Sequence, residues 1–118
     1  MQEGSDRIEA AAHDELDVNQ MKLLHARGER VVVARTEDGF AAFSDRCTHK
    51  GGPLSDGTLA CGTVQCPWHG SQFDVRTGLV KEGPATDPVR TYPLEEEQGR
   101  VTIRANTIRA TELSPAKP

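Results

Sequence analysis

Two short stretches of the sequence decide its fold, CTHKGGPL (47–54) and CPWHGSQFD (66–74). Each offers one cysteine and one histidine, as Cys-x-His in the first stretch and Cys-x-x-His in the second, and sixteen residues separate the two patterns. Thiolates and imidazoles bind soft and borderline metal ions. Two loops of this kind that meet at their tips would present four ligands to one small metal centre. We therefore expect the rest of the chain to hold these loops face to face.

Glycine and proline residues surround the candidate ligands. Gly51, Gly52 and Gly70 have no Cβ, which lets the backbone come close enough for amide N–H groups to donate hydrogen bonds to sulfur. Pro53 and Pro67 would stiffen the loops and reduce the entropy lost on ordering them. An irregular segment of this composition inside a small domain usually holds something.

Outside the two loops, short strands separated by turns dominate the sequence, a pattern typical of an all-β sandwich or barrel. In the last strand Val101 and Ile103 alternate with polar residues, which is the period of a half-buried strand. The predicted strands and turns are MKLLH (21–25), RVVVAR (30–35) and FAAF (40–43) with a hairpin turn at Asp38-Gly39, QFDV (72–75) and LV (79–80), and TYPLE (91–95) and RVTIR (100–104) on either side of the turn EEEQG (95–99).

Composition limits the classes of protein to which the chain can belong. Its 118 residues suit one domain with one modest core. The 14 Lys and Arg residues are outnumbered by 18 Asp and Glu, which gives a net charge of −4 and no basic footprint for nucleic acid. The apolar runs are too short to span a membrane, and the N-terminus lacks a secretory signal pattern. We therefore expect a soluble, cytoplasmic protein that binds neither nucleic acid nor membrane, and its three cysteines argue against a disulfide framework.

The two ligand stretches resemble the two boxes of Rieske iron–sulfur proteins, in which two Cys bind one iron of a 2Fe–2S cluster and two His bind the other. The resemblance covers residues 7–105. Outside the boxes it rests on VVVAR (31–35), Asp38-Gly39, QFDVRTG (72–78) and Gly83-Pro84-Ala85, of which the last matches the proline-containing loop that closes over the cluster.

This resemblance implies an antiparallel Rieske-type β sandwich or barrel with a cluster-binding subdomain made of two loops. Cys47 and Cys66 would bind the inner iron, and His49 and His69 the outer iron. The implied parts of the chain are an N-terminal tail (1–6), the Rieske 2Fe–2S domain (7–105) with its cluster-binding part at 44–86, and a C-terminal tail (106–118).

The N-terminal segment RIEAAAHDEL (7–16) is the one place where local propensity and the resemblance disagree. Helix-forming residues follow Ser5 and Asp6, which could cap a helix. The resemblance instead implies a strand over Arg7 to Ala11 and then a turn over His13 to Leu16, and we predict the strand.

Residues around the ligands are expected to tune the cluster. In high-potential members of the family a Ser and a Tyr donate hydrogen bonds to sulfur. Ser71 matches the Ser but Phe73 stands at the Tyr position, so we predict a potential in the lower part of the Rieske span of roughly −150 to +300 mV. We expect Trp68 to shield the cluster from water. The residues expected beside the cluster are Ser71, Gly51, Gly52, Trp68, Gly70 and Pro84, and an apolar docking rim is expected at Pro67, Trp68, Gly51 and Pro84.

Two departures indicate a branch of the family. Respiratory and photosynthetic members carry an extra Cys in each loop, which together form a disulfide, whereas Gly52 and Trp68 occupy those places here. Those members also have a membrane anchor. The resemblance therefore implies a soluble ferredoxin, a one-electron carrier rather than an enzyme. Its implied partners are a flavin-dependent reductase as donor and an oxygenase or other redox enzyme as acceptor.

Other interpretations stay open. The chain could be the small iron–sulfur subunit of a larger reductase such as nitrite reductase, or a zinc-stabilised binding module. It could also be a redox or iron sensor, although no recognition surface is visible for that role. Two Cys and two His also satisfy structural zinc, but zinc fingers usually pair like residues. Cys61 is interpreted as a small buried hydrophobe, and His13 and His25 as surface residues. Arg46 and Lys50 are interpreted as solvated charges beside the ligands.

Overall fold

The computed structural model describes residues 7–104 and 107–108, and in this part of the chain the regular structure is strands and single 3-10 turns. The strands are β1 (Arg7–Ala12), β2 (Gln20–Ala26), β3 (Glu29–Thr36), β4 (Gly39–Ser44), β5 (Thr58–Ala60), β6 (Thr63–Gln65), β7 (Gln72–Asp74), β8 (Val80–Glu82), β9 (Thr91–Tyr92), β10 (Leu94–Glu97) and β11 (Arg100–Arg104). A 3-10 turn covers Leu54–Asp56. Within the described residues there is no helix with the length and apolar character needed to cross a bilayer.

The strands form three sheets, and every pairing is antiparallel. One sheet has the order β1-β11-β10, the second β2-β3-β4-β9 and the third β5-β6-β7-β8. The all-β, antiparallel fold class predicted from the sequence is confirmed. Both ligand stretches lie at ends of these strands, the first after β4 and the second between β6 and β7.

The N-terminal segment is a strand, so the strand prediction is confirmed and the helix favoured by local propensity is not formed. β1 pairs with β11, placing Ile8 opposite Ile103 and Ala11 opposite Val101. Ala10 and Ala11 are buried. Burial against a neighbouring strand outweighs the weak helix preference of an alanine run because intrinsic propensity is small beside tertiary packing.

Two turns and one strand differ slightly from their predicted positions. Gly39 pairs with Thr36 as the first residue of β4, so the hairpin turns at 37–38 rather than at Asp38-Gly39. Pro93 divides the predicted strand 91–95 into β9 and β10, since it has no amide proton for a sheet. β10 continues to Glu97, and the turn is formed by Gln98 and Gly99, which both have positive φ.

Two clusters of buried side chains fill the domain, and β3 belongs to both. Val32 and Ala34 pack into the first cluster, which also contains Cys47 and Cys66. Val31 and Val33, on the other face of β3, pack into the second cluster beneath β1 and β11. The two thiols are therefore fixed by the same packing that holds the central sheet together.

Two residues differ in burial from what the sequence predicts. Cys61, interpreted from the sequence as a buried hydrophobe, is exposed. It lies at the tip of the β5–β6 hairpin, in the two-residue turn between Ala60 and Thr63, with a φ of 52°. Within the segment predicted as a C-terminal tail, Ile108 is fully buried in the second cluster. His13 and His25 are exposed, as predicted.

Candidate metal centre

The two ligand-bearing loops close through the same backbone pattern. In the first, the amide of Gly51 donates to the carbonyl of Cys47 at 2.8 Å, and the amide of Cys47 donates to Gly52 at 2.9 Å. In the second, the amide of Gly70 donates to the carbonyl of Cys66 at 3.1 Å, and the amide of Cys66 donates to Ser71 at 2.8 Å. Each loop is thus a tight turn that begins at its cysteine.

This shared pattern explains the glycine that closes each turn. Gly51 and Gly70 both stand four residues after the cysteine, with φ values of 78° and 81°. Side chains other than glycine are strained in that region. The sequence shows different Cys-to-His spacings in the two loops, but the Cys-to-Gly spacing is the same in both, and it is this spacing that sets the turn.

The four predicted ligands fall into two pairs with different exposure. Cys47 and Cys66 are buried, with 2% and 3% of their surfaces accessible, and both are free thiols. The rings of His49 and His69 meet edge to face, with centroids 5.1 Å apart. His69 is exposed and His49 is partly buried. The thiols therefore lie on the inside of the loops and the imidazoles nearer to solvent.

Burial raises the pKa of the Cys66 thiol above its ordinary value. Hydrogen bonds from the amides of Trp68 and His69 oppose the rise, while the neighbouring Cys47 adds to it. The Cys47 contribution to the raised pKa comes first from a side-chain hydrogen bond between the two thiols and to a smaller extent from repulsion between their charges. Two buried thiols with amide donors around them can be held as thiolates once a cation shares their charge.

One imidazole nitrogen needs a partner that the described residues do not supply. His49 Nδ1 is buried and makes no hydrogen bond to them. Buried polar atoms in proteins are nearly always paired. An imidazole nitrogen in this situation is suited to bind a metal ion.

The four candidate ligands form two pairs of different chemistry. The sulfurs of Cys47 and Cys66 are neighbours, and so are the rings of His49 and His69. A structural zinc site of the two-Cys, two-His type needs four ligands on a single ion. Two pairs, one of sulfur and one of nitrogen, instead fit a binuclear cluster in which each iron takes two protein ligands.

A third loop, between β8 and β9, contacts both ligand-bearing loops. The amide of Ala85 donates to Ser71 Oγ at 3.0 Å, and Ser71 is fully buried. The hydroxyl of Thr48 donates to the carbonyl of Asp87 at 2.7 Å. Because Ser71 accepts the hydrogen bond from Ala85, its own hydroxyl proton remains available to another acceptor. The proline-containing loop predicted to close over the site, with Pro84 exposed, therefore connects the two others.

Asp45 anchors the first loop, and the sequence reasoning did not single it out. Its Oδ2 accepts a hydrogen bond from Arg30 Nη2 and its Oδ1 from the amide of Ser55, both at 2.6 Å. Its own amide donates to Arg30 and its carbonyl accepts from Leu54. The carboxylate is buried while Arg30 is half exposed. The feature of the sequence that could have indicated this role is an acidic residue between an apolar strand and the first candidate ligand.

Residues 6–93 match the model of the Rieske [2Fe-2S] domain. The chain belongs to this family. The resemblance inferred from the two loops is confirmed, and so is the cofactor that it implied, a Rieske-type 2Fe–2S cluster. The residues present fit this cofactor through two buried thiols, two adjoining imidazoles and an unpartnered ring nitrogen.

Known relatives of this Rieske domain occur alone and within longer proteins. The chain is 34% identical to apoptosis-inducing factor 3 of Mus musculus over 92 residues, 78% of this chain but only 15% of that protein. It is 36% identical to the anthranilate 1,2-dioxygenase ferredoxin subunit of Burkholderia cepacia, covering 78% of this chain and 85% of the subunit. A solved complex of reduced oxygenase and oxidized ferredoxin in carbazole 1,9a-dioxygenase contains a chain with a TM-score of 0.78 and 31% identity, covering 81% of this chain and 99% of that one.

Proposed function

We propose that this Rieske domain is a one-electron carrier whose 2Fe–2S cluster is bound by Cys47 and Cys66 on the inner iron and by His49 and His69 on the outer iron. The observation that carries the proposal is the pairing of two buried thiols with two adjoining, more exposed imidazoles on loops of matching backbone geometry. No residue of the chain is assigned a catalytic role.

The ligand set suits such a carrier in its charge. When bound, the cluster supplies a one-electron couple, and two neutral imidazoles in place of two thiolates place its potential between roughly −150 and +300 mV. The buried cysteines keep the sulfur side of the site away from water, and His69, which is exposed, would be the point at which an electron leaves the protein. Ser71 holds the third loop against the second.

The partners we propose are a flavin-dependent reductase as donor and an oxygenase, or a similar redox enzyme, as acceptor. Support comes from relatives that are ferredoxin components of dioxygenase systems and from the oxygenase–ferredoxin complex. Pro67, Trp68, Gly51 and Pro84, the residues proposed as a docking rim, are all exposed. Small, transient contacts of this kind are typical of redox partners. A cytoplasmic location stays a prediction.

The proposal is tested by reducing the purified protein anaerobically with a stoichiometric titrant and following the visible spectrum of the cluster. We expect one electron to be taken up per chain and to be returned when an oxidant is added. His69→Ala should lose the couple, whereas His25→Ala, which removes an exposed imidazole from β2, should keep it. Uptake of no electron by a protein that carries its full iron would overturn the carrier role.

A further inference from the structure

A groove of about 470 Å³ lies beside the first ligand-bearing loop. Cys47 forms part of its lining, and so does Tyr92 from β9. Three cationic side chains, Arg46, Lys50 and Arg90, also line the groove, while no acidic residue does. We call these three residues the basic groove. An occupant of the basic groove would lie next to a proposed ligand of the inner iron.

The cations of the basic groove lack anionic partners in the described ranges, 7–104 and 107–108. None of the three belongs to an ion pair there, whereas Lys and Arg residues elsewhere on the domain commonly do. The paired ones are Arg7, Lys22, Arg30, Arg76, Arg100 and Arg104. Arg27, Arg35 and Lys81 also lie outside the ion pairs of these ranges. Three of the six unpaired cations are therefore grouped beside the first loop, although the chain as a whole carries a net charge of −4.

Arg90 is the best defined member of the basic groove. Its guanidinium carbon lies 5.7 Å from the centroid of the Tyr92 ring, which is itself buried. Its Nη1 atom is buried and has no hydrogen-bond partner among the described residues. A stacked guanidinium loses little further entropy when it binds, and its donors match the two oxygens of a carboxylate. Arg90 as a whole is partly exposed, so a carboxylate from outside the domain would bind the guanidinium donors that face the groove rather than the buried Nη1.

We propose that the basic groove docks an acidic surface segment of the protein with which the cluster exchanges electrons. This inference rests on the proposed carrier function, because it places the electron-transfer partner beside the first ligand-bearing loop. Charges arranged in this way orient a partner and accelerate its encounter more than they add affinity. The net negative charge of the chain would repel an acidic partner from its other faces.

The experiment uses gold surfaces coated with carboxylate-terminated or amine-terminated monolayers, of which the first presents an acidic surface. Binding is measured by surface plasmon resonance at low ionic strength, and electron exchange with the cluster by voltammetry on the same films. Wild type should bind the carboxylate film and exchange electrons there. Lys50→Gln and Arg90→Gln should each weaken binding to the carboxylate film and slow electron exchange by roughly three- to tenfold. This is a fraction of the total effect of electrostatic steering on association rates, because each variant removes a single charge.

The control variant is Arg100→Gln, which also removes one positive charge. Arg100 belongs to β11, and the sheet β1-β11-β10 contains none of the strands that flank the ligand-bearing loops. Arg100→Gln should behave as wild type on the carboxylate film. Equal losses in Lys50→Gln and Arg100→Gln, or exchange on the amine film alone, would overturn the proposal. So would dimerisation at low salt detected by sedimentation, since it would assign the groove to a second copy. Binding to the carboxylate film without any redox signal on either film would refute the carrier function but leave the basic groove standing as a docking site for acidic surfaces.

Discussion

The indole of Trp68 lies directly against Gly52: a Cβ at position 52 would sit 2.9 Å from the indole Cδ2 and 2.9 Å from the sulfur of Cys66. These are the two positions that a disulfide joins in respiratory Rieske proteins. Here a non-covalent contact between Gly52 and the indole of Trp68 links the two ligand-bearing loops. Trp68 was expected to shield the cluster, and 55% of its surface remains exposed, so it covers the site from one side only.

Gly52→Ala should disturb this contact. The added methyl group has no room between the indole and the sulfur, and overpacking of this kind costs about 1–3 kcal/mol. We expect a lower urea midpoint for cluster loss, followed by visible absorbance. Gly83→Ala is the matched control because its Cβ would meet nothing closer than 3.8 Å. Equal stability of Gly52→Ala and wild type would show that Trp68 moves freely away from the loop.

Gly70→Ala tests the turn that closes the second loop. A Cβ at this position meets only Gln65 Nε2 at 3.6 Å, so the expected loss of about 1–2 kcal/mol comes from the left-handed backbone and not from crowding. Gly70→Asn should lose less, since asparagine tolerates that conformation better. Chemical denaturation of the two variants makes the comparison. An asparagine variant less stable than the alanine variant would contradict the backbone explanation.

Asp45→Ala should destabilise the first loop. It leaves the amide of Ser55 without its acceptor and Arg30 without its partner, and an unsatisfied buried group costs about 1–3 kcal/mol. Asp38→Ala is the control, because its ion pair with Arg76 is exposed on both sides and contributes at most about 1 kcal/mol. Urea unfolding should rank Asp45→Ala well below Asp38→Ala, and similar values for the two would contradict the anchoring role.

Ser71→Ala should lower the reduction potential. The Ser71 hydroxyl accepts from Ala85 and keeps its proton to donate, and a hydrogen bond that is about 1 kcal/mol stronger to the reduced cluster than to the oxidised one raises the potential by roughly 40 mV for one electron. Phe73→Tyr should raise the potential by adding a donor. Protein-film voltammetry measures both, with Ser55→Ala, in the 3-10 turn, as control. A potential that stays constant in both variants would mean that neither side chain tunes the cluster.

Much of the fold could be predicted from the sequence because its signals are local. The alternation of Val101 and Ile103 identifies β11, and the two Cys–His stretches identify the loops. The strand at Arg7–Ala12 could not be read from propensity, since its partner β11 lies more than eighty residues away in the chain. Exposure of Cys61 depends on a backbone turn that composition alone does not specify.

The candidate site likewise has features that the sequence reveals and features that only the folded chain shows. The ligand types and their neighbours are visible in the sequence, whereas contacts between distant segments are not. The ion pair between the buried carboxylate of Asp45 and the half-exposed Arg30 joins residues fifteen positions apart, and Thr48 donates to Asp87 across 39 positions. The basic groove likewise needs Arg90 to be brought beside Arg46 and Lys50, so the latter two look like ordinary surface charges until the chain is folded.

The most direct test of the central claim is pulsed EPR of the reduced protein containing 15N-labelled histidine, together with iron and sulfide analysis of the same sample. We expect two irons and two sulfides per chain and hyperfine coupling from two histidine nitrogens. Replacement of either His49 or His69 should remove the coupling of one nitrogen. A colourless protein that binds one zinc ion after reconstitution with iron and sulfide, or a cluster without histidine coupling, would contradict the claim.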